Sequence, residues 1–167
     1  MSSDTLKRIG LFFAFVAVQV LVLGHVHLFH VATPLFYVYF VLLMPRNLPK
    51  WASLLWSFAM GLVLDIFSNT FGVAAASMTL IGAIQPYYFE LFLPRDSADN
   101  IVPKLSTIGL LKYTYYAVPL VLFYCLVFYT LEMFSFYNAL QWVLCVVGST
   151  AVTLLLVYTF EIATFKK

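Results

Sequence analysis

The chain has 167 residues, of which 63% are hydrophobic and 10% charged; its mean hydropathy is +0.97 and its formal charge +2. Soluble domains carry about 25% charged residues, and a chain this short leaves too much surface uncovered to hide so much apolar area from water, so lipid is its solvent. The nine basic residues fall in short clusters, not in the concentrated face of a nucleic-acid binder, while Cys125 and Cys145 lie inside apolar runs and read as small hydrophobes, not as a disulfide or metal framework.

Lys7 and Arg8 lead into an apolar stretch at 9–26. A secretory signal has an apolar core of about 7–15 residues followed by a small-x-small cleavage site. This stretch is longer and lacks the site, so it is expected to remain as the first helix. No Lys, Arg, Asp or Glu occurs from Ile9 to Met44. As one helix that run would measure about 54 Å, against a hydrocarbon core of about 30 Å, so the chain must fold back. The turn is placed at 24–34, where glycine, three histidines and a proline interrupt the aliphatic pattern. The second helix then occupies 31–44, short for a crossing.

Pro45-Arg46-Asn47-Leu48-Pro49-Lys50 reads as a turn. The third helix is expected at 51–67, ending in Ser68-Asn69-Thr70, and the fourth at 71–93, bent by Pro86. A polar loop at 94–106 leads to a fifth helix at 110–131, kinked at Pro119, and a sixth at 139–160. The fold class is thus all-α: one integral membrane domain over 1–167 with six transmembrane helices. With six crossings, Lys7, Arg8, Arg46, Lys50, Arg95, Lys104, Lys112, Lys166 and Lys167 all fall on one side. The positive-inside rule makes that side, and both termini, cytoplasmic. The three opposite turns are short.

Ser53, Ser57, Gly61 and Asp65 recur every four residues on the third helix, which places them on one stripe. Small residues at that spacing let helix backbones approach closely in lipid. An ionisable group such as Asp65 at membrane depth is a functional candidate; equally, it can bond the following turn, and the spacing leaves open whether a partner also uses it. Gly72 with Ala74, Ala75, Ala76 and Ser77 opens the fourth helix with a thin wall that suits helix packing. His25, His27 and His30 cluster in the first outer turn, with no Cys, Asp or Glu nearby to complete a metal site. Trp51, Trp56, Tyr87, Tyr88, Tyr113, Tyr115, Tyr116 and Trp142 suit interfacial belts. Glu90, Glu132 and Glu161 lie near helix ends and are expected to reach water. No nucleophile and base share membrane depth, Asp65 has no second carboxylate, and no zinc-protease or phosphate-loop motif occurs. Neither enzyme activity nor a cofactor is expected.

Pro34 opens a short second helix, Leu43-Met44-Pro45-Arg46 closes it, and Gly61-Leu62-Val63-Leu64-Asp65-Ile66-Phe67-Ser68 leads into Phe71-Gly72-Val73-Ala74-Ala75. In this pattern the stretch 34–83 resembles the rod shape-determining protein MreD family. The size, six helices and cytoplasmic termini are also similar, whereas the last two helices match only in number and length. The resemblance implies a non-enzymatic inner-membrane subunit of the bacterial cell-elongation machinery that binds the bitopic protein MreC. It would work alongside MreB, RodA and a penicillin-binding transpeptidase, and help position peptidoglycan synthesis. Ser57, Gly61, Asp65 and Gly72 are then the candidate partner-binding or packing residues. The family is also similar in architecture to the S-components of vitamin transporters, which makes a substrate-binding transporter subunit the alternative.

The charge sorting generates a direct test. Reporter fusions after Arg46 and after Lys104 should report the same side of the membrane, and a fusion after Asn69 the opposite one. Opposite sides for Arg46 and Lys104 would refute an even number of crossings.

Overall fold

The computed structural model describes residues 3–21, 33–70, 72–93, 101–133 and 139–165. Among these, the chain is all-α, with seven helices: α1 (Ser3–Leu21), α2 (Val38–Leu42), α3 (Lys50–Ser68), α4 (Val73–Glu90), α5 (Leu105–Ile108), α6 (Leu110–Met133) and α7 (Ala139–Phe165). Three of them, α3, α6 and α7, are long and apolar enough to cross a membrane, which makes the protein multi-pass. The apolar part of α1, Arg8–Leu21, is shorter, and α4 closes on the polar run Gln85-Pro86-Tyr87-Tyr88-Phe89-Glu90. The histidine turn, most of the 94–106 loop, the 134–138 turn, and Lys166 and Lys167 lie outside the described residues.

Four helices lie close to their expected places, with α3 at 50–68, α4 at 73–90, α6 at 110–133 and α7 extended to 165. The first begins earlier than expected, at Ser3, and is described to Leu21. The second departs most. In place of a helix over 31–44 there is, among the described residues, an irregular stretch at 33–35 and a helix of only 5 residues, all buried. Proline disfavours helical backbone in the residue before it, so Pro34 keeps the helix from running back through Thr33.

The broken segment survives because neighbouring side chains satisfy its backbone. Backbone groups at membrane depth need internal partners, and irregular chain persists there only when buried in protein. The Thr33 amide donates to Ser149 Oγ and the Leu35 amide to Thr153 Oγ1, both at 3.1 Å, so α7 takes two free amides. Gln19 of α1 donates to the Pro34 carbonyl at 2.9 Å. Tyr116 of α6 donates to the Leu42 carbonyl at 3.1 Å, and Gln85 of α4 to the Met44 carbonyl at 3.3 Å. Hydroxyls add a second layer: Thr33, Tyr129 and Ser149 form a chain with both links at 2.6 Å, and the Tyr37 and Tyr124 hydroxyls meet. Phe12 and Phe15 of α1 close the apolar side against Tyr39 and Phe40 at centroid distances of 5.7–6.3 Å, in the edge-on geometry aromatic pairs prefer.

Two of the tyrosines expected in interfacial belts are core residues instead. Tyr113 and Tyr116 are fully buried, whereas Trp51, Tyr87 and Tyr115 are exposed. Hydropathy patterning does not separate the two fates: the Tyr116 hydroxyl finds two partners in the core, Leu42 and Gln85, whereas the Tyr113 hydroxyl is buried without a hydrogen-bond partner and its ring packs against Tyr116 and Tyr158.

Pro86 and Pro119 do not end their helices. Each removes the amide that would bond the carbonyl four residues earlier, and in both cases a hydroxyl from the neighbouring helix replaces it. Ser53 of α3 donates to the Gly82 carbonyl at 3.1 Å, and Tyr88 of α4 to the Tyr115 carbonyl at 3.0 Å.

The bundle has two distinct ends. Lys50 at the start of α3 sits 3.8 Å over the Tyr87 ring near the end of α4, and Thr114 early in α6 receives the Tyr158 hydroxyl late in α7. These contacts make α3/α4 and α6/α7 antiparallel pairs and gather Lys50 and Lys112 near one end. Arg8, Pro45, Lys104 and Thr164 line one cavity at that end. Asp65, Gln19 and the Thr33–Tyr129–Ser149 chain lie toward the other.

The proline compensation predicts a specific coupling. Ser53→Ala should lower stability by about 1–2 kcal/mol by leaving a buried carbonyl without a donor. In a Pro86→Ala background, where residue 86 regains its amide, the same change should cost less than half as much. Thermal unfolding in detergent measures both; equal costs in the two backgrounds would show that Ser53 does not stand in for the missing amide.

Candidate functional site

The stripe on α3 is the most closely packed seam of the described structure. Ser53, Ser57, Gly61 and Asp65 are all buried and face α4. A Cβ added to Gly61 would stand 2.5 Å from Ala75 Cα and 2.6 Å from the Ala74 carbonyl oxygen, so here the two backbones touch. One turn toward the basic end the roles reverse: a Cβ on Gly82 of α4 would meet Ser57 Oγ at 2.2 Å. The Ser57 hydroxyl is meanwhile donated to the Ser53 carbonyl at 2.8 Å, which hides its polarity within its own helix. The seam is built from small residues on both sides, the arrangement that lets helices associate in lipid without a hydrophobic driving force. Gly82 belongs to it as fully as Gly61, although four-residue spacing on α3 alone did not point to it.

At the far end of the stripe Asp65 ties the two consecutive helices together across the turn that joins them. Its Oδ1 accepts the Ala74 amide at 2.9 Å and its Oδ2 the Ala75 amide at 2.8 Å, while the Thr70 hydroxyl also donates to Oδ1. Those amides belong to the first turn of α4, where no intrahelical acceptor exists. A carboxylate at that position also complements the positive end of the helix dipole. Asp65 is thus a capping group delivered from the preceding helix. Its backbone carbonyl takes the Thr70 amide at 3.0 Å, and Asn69 turns the chain in the left-handed region at φ 54°.

Gly72 plays a different part from the other three. It is exposed, and an added Cβ would meet nothing within 4 Å, so it is no packing residue. Its φ of 77° is the reason for glycine here, since a side chain in that region costs about 1–2 kcal/mol. Of the thin wall expected behind it, Ala74, Ala75 and Ser77 are buried and Ala76 is not.

Glu161 does not reach water as expected. It is 2% exposed, and its carboxylate accepts the Tyr39 hydroxyl at 2.7 Å; Glu90 and Glu132 are exposed. The partner on the broken segment was invisible in sequence because Tyr39 and Glu161 are far apart in the chain. Among the described residues no group of His, Cys, Asp and Glu is placed to hold a metal ion. Beside Tyr39 an open cavity of about 610 Å³ lies at the basic end of the bundle. Comparison with protein-family models, with characterised proteins and with solved structures gives no match.

The seam predicts a rescue. Gly61→Ala and Gly82→Ala should each destabilise the protein by about 1–3 kcal/mol through overpacking. Adding Ser57→Gly should recover most of the loss for Gly82→Ala, where the obstacle is a side chain, and none for Gly61→Ala, where it is backbone. Thermal unfolding of the four variants in detergent tests this, and rescue of both, or of neither, would contradict the assigned contacts.

Proposed function

We propose that this protein is a non-enzymatic membrane subunit of the MreD type, acting in the cell-elongation machinery of a bacterial inner membrane. In this reading it binds MreC and helps position MreB, RodA and a penicillin-binding transpeptidase. The observation that carries the reading is the joint between α3 and α4. Gly61 and Asp65, the fixed points of the resemblance, make the backbone contact and the cap that lock the two helices together. A helical corner held this way suits a subunit that presents a rigid surface to another protein's transmembrane segment.

The six-crossing topology with cytoplasmic termini belongs to the same proposal. Its support is the gathering of Arg8, Lys50, Lys104 and Lys112 toward one end. The second crossing is the broken segment, which runs from Thr33, beside Ser149, to Pro45, in the cavity shared with Thr164. Ser149 and Thr164 are separated by about 22 Å along α7 at 1.5 Å per residue. The alternative, a substrate-binding subunit of a vitamin-type transporter, needs a polar pocket opening at the end remote from the basic residues. The cavity lies at the basic end and is mainly apolar, which favours the first reading.

Co-purification tests it. MreC should be recovered with the wild-type protein in mild detergent, and Asp65→Leu should insert normally yet recover at most about a fifth as much MreC. Failure of the wild-type pair to associate, under conditions that preserve other membrane complexes, would refute the proposal. Full recovery with Asp65→Leu would leave Asp65 a cap for α4 and nothing more.

A further inference from the structure

From the cavity at the basic end, we infer that this protein binds an anionic phospholipid drawn from the leaflet which that end faces. The inference goes beyond the proposed scaffold role and does not rest on it. The cavity is bounded by the start of α1, the turn after α2, the irregular stretch before α5 and the end of α7. Its volume of about 610 Å³ falls in the range of about 300–1,000 Å³ typical of small-molecule sites.

Its lining is divided in the manner of an amphiphile. Phe40, Trp56 and Phe160 give an aromatic and apolar wall, and Leu11, 42% exposed, continues that wall onto the outer surface of α1. Arg8 and Lys104 supply two positive charges from separate elements, and among the described residues no carboxylate lines the cavity. Glu161, which meets the lining residue Tyr39, is buried and takes the Tyr39 hydroxyl. Two cations without a lining acid call for an anionic head group, and the apolar wall reaching the lipid-facing surface calls for acyl chains. Basic pockets between membrane helices recognise anionic lipid heads by this combination. A nucleotide or a sugar phosphate would leave the apolar wall uncovered. A zwitterionic lipid would set its own cation against Arg8 and Lys104.

Native mass spectrometry of the full-length protein in detergent, titrated with phosphatidylglycerol or phosphatidylcholine, tests this. The wild type should retain phosphatidylglycerol at least about tenfold more tightly, as expected for two cations each acting near an anionic head. Arg8→Gln/Lys104→Gln should abolish the preference. Lys112→Gln, which removes an exposed charge at the same end but outside the cavity, should keep it. Thermal unfolding establishes that the variants are folded. Equal retention of the two lipids by the wild type, or loss of the preference in Lys112→Gln, would overturn the inference. So would displacement of the bound lipid by inorganic phosphate alone, which would mark a site for a soluble anion. MreC recovery is read separately, so either proposal can fail without the other.

Discussion

Every backbone amide and carbonyl at membrane depth must find its partner inside the protein, because lipid offers none. An unbroken helix meets that demand by itself; this chain interrupts its helices repeatedly and meets it with side chains. Ser149, Thr153 and Gln19 serve the irregular stretch around Pro34. Ser53 and Tyr88 serve the carbonyls that Pro86 and Pro119 leave free. Asp65 serves the first turn of α4. Each donor or acceptor sits on a different helix from, or a turn away from, the group it satisfies, so the repair of local backbone is also what ties the bundle together. A buried polar group without its partner costs about 1–3 kcal/mol, which makes these links sensitive points in a fold whose apolar surfaces are otherwise interchangeable with lipid.

The same constraint explains which parts of the architecture sequence reading could reach. Charge sorting and the length of apolar runs are properties of single segments, and α3, α6 and α7 lie near the positions read from them. Packing by small residues was legible on α3, since Ser53, Ser57, Gly61 and Asp65 carry their own spacing. What escaped were features that exist only between segments. Pro34 marks a break within 31–44, but the partners on α1, α4, α6 and α7 that stabilise the unwound flanks of the second helix leave no pattern there. Tyr116 reads as a belt residue until Leu42 and Gln85 are placed beside it. Glu161 reads as a solvated helix end until Tyr39 is brought against it. Gly82 carries no marker of its own, because its significance lies in Ser57 on the facing helix.

Asp65 illustrates how a residue can look functional and be structural in its immediate chemistry. Membrane-depth carboxylates attract notice because an uncompensated one is costly. Here the compensation is complete: two amides and a hydroxyl occupy the carboxylate oxygens. Little acceptor capacity remains for a substrate or ion. Any role Asp65 has in assembly therefore acts through the position of α4, whose first turn it holds, and through the close contact at Gly61 that this position permits.

The end of α2 also borders the cavity. The helix stops at Leu42 and the chain turns at Pro45. The space beside that turn is bounded by Tyr39, Phe40, Leu43 and Met44 on one side and by α1, α3 and α7 on the others. The two prolines that flank α2 thus act at opposite ends. Pro34 organises the polar network that makes the core specific, and the turn at Pro45 borders the recess beside Arg8 and Lys104 that we propose takes a lipid head group.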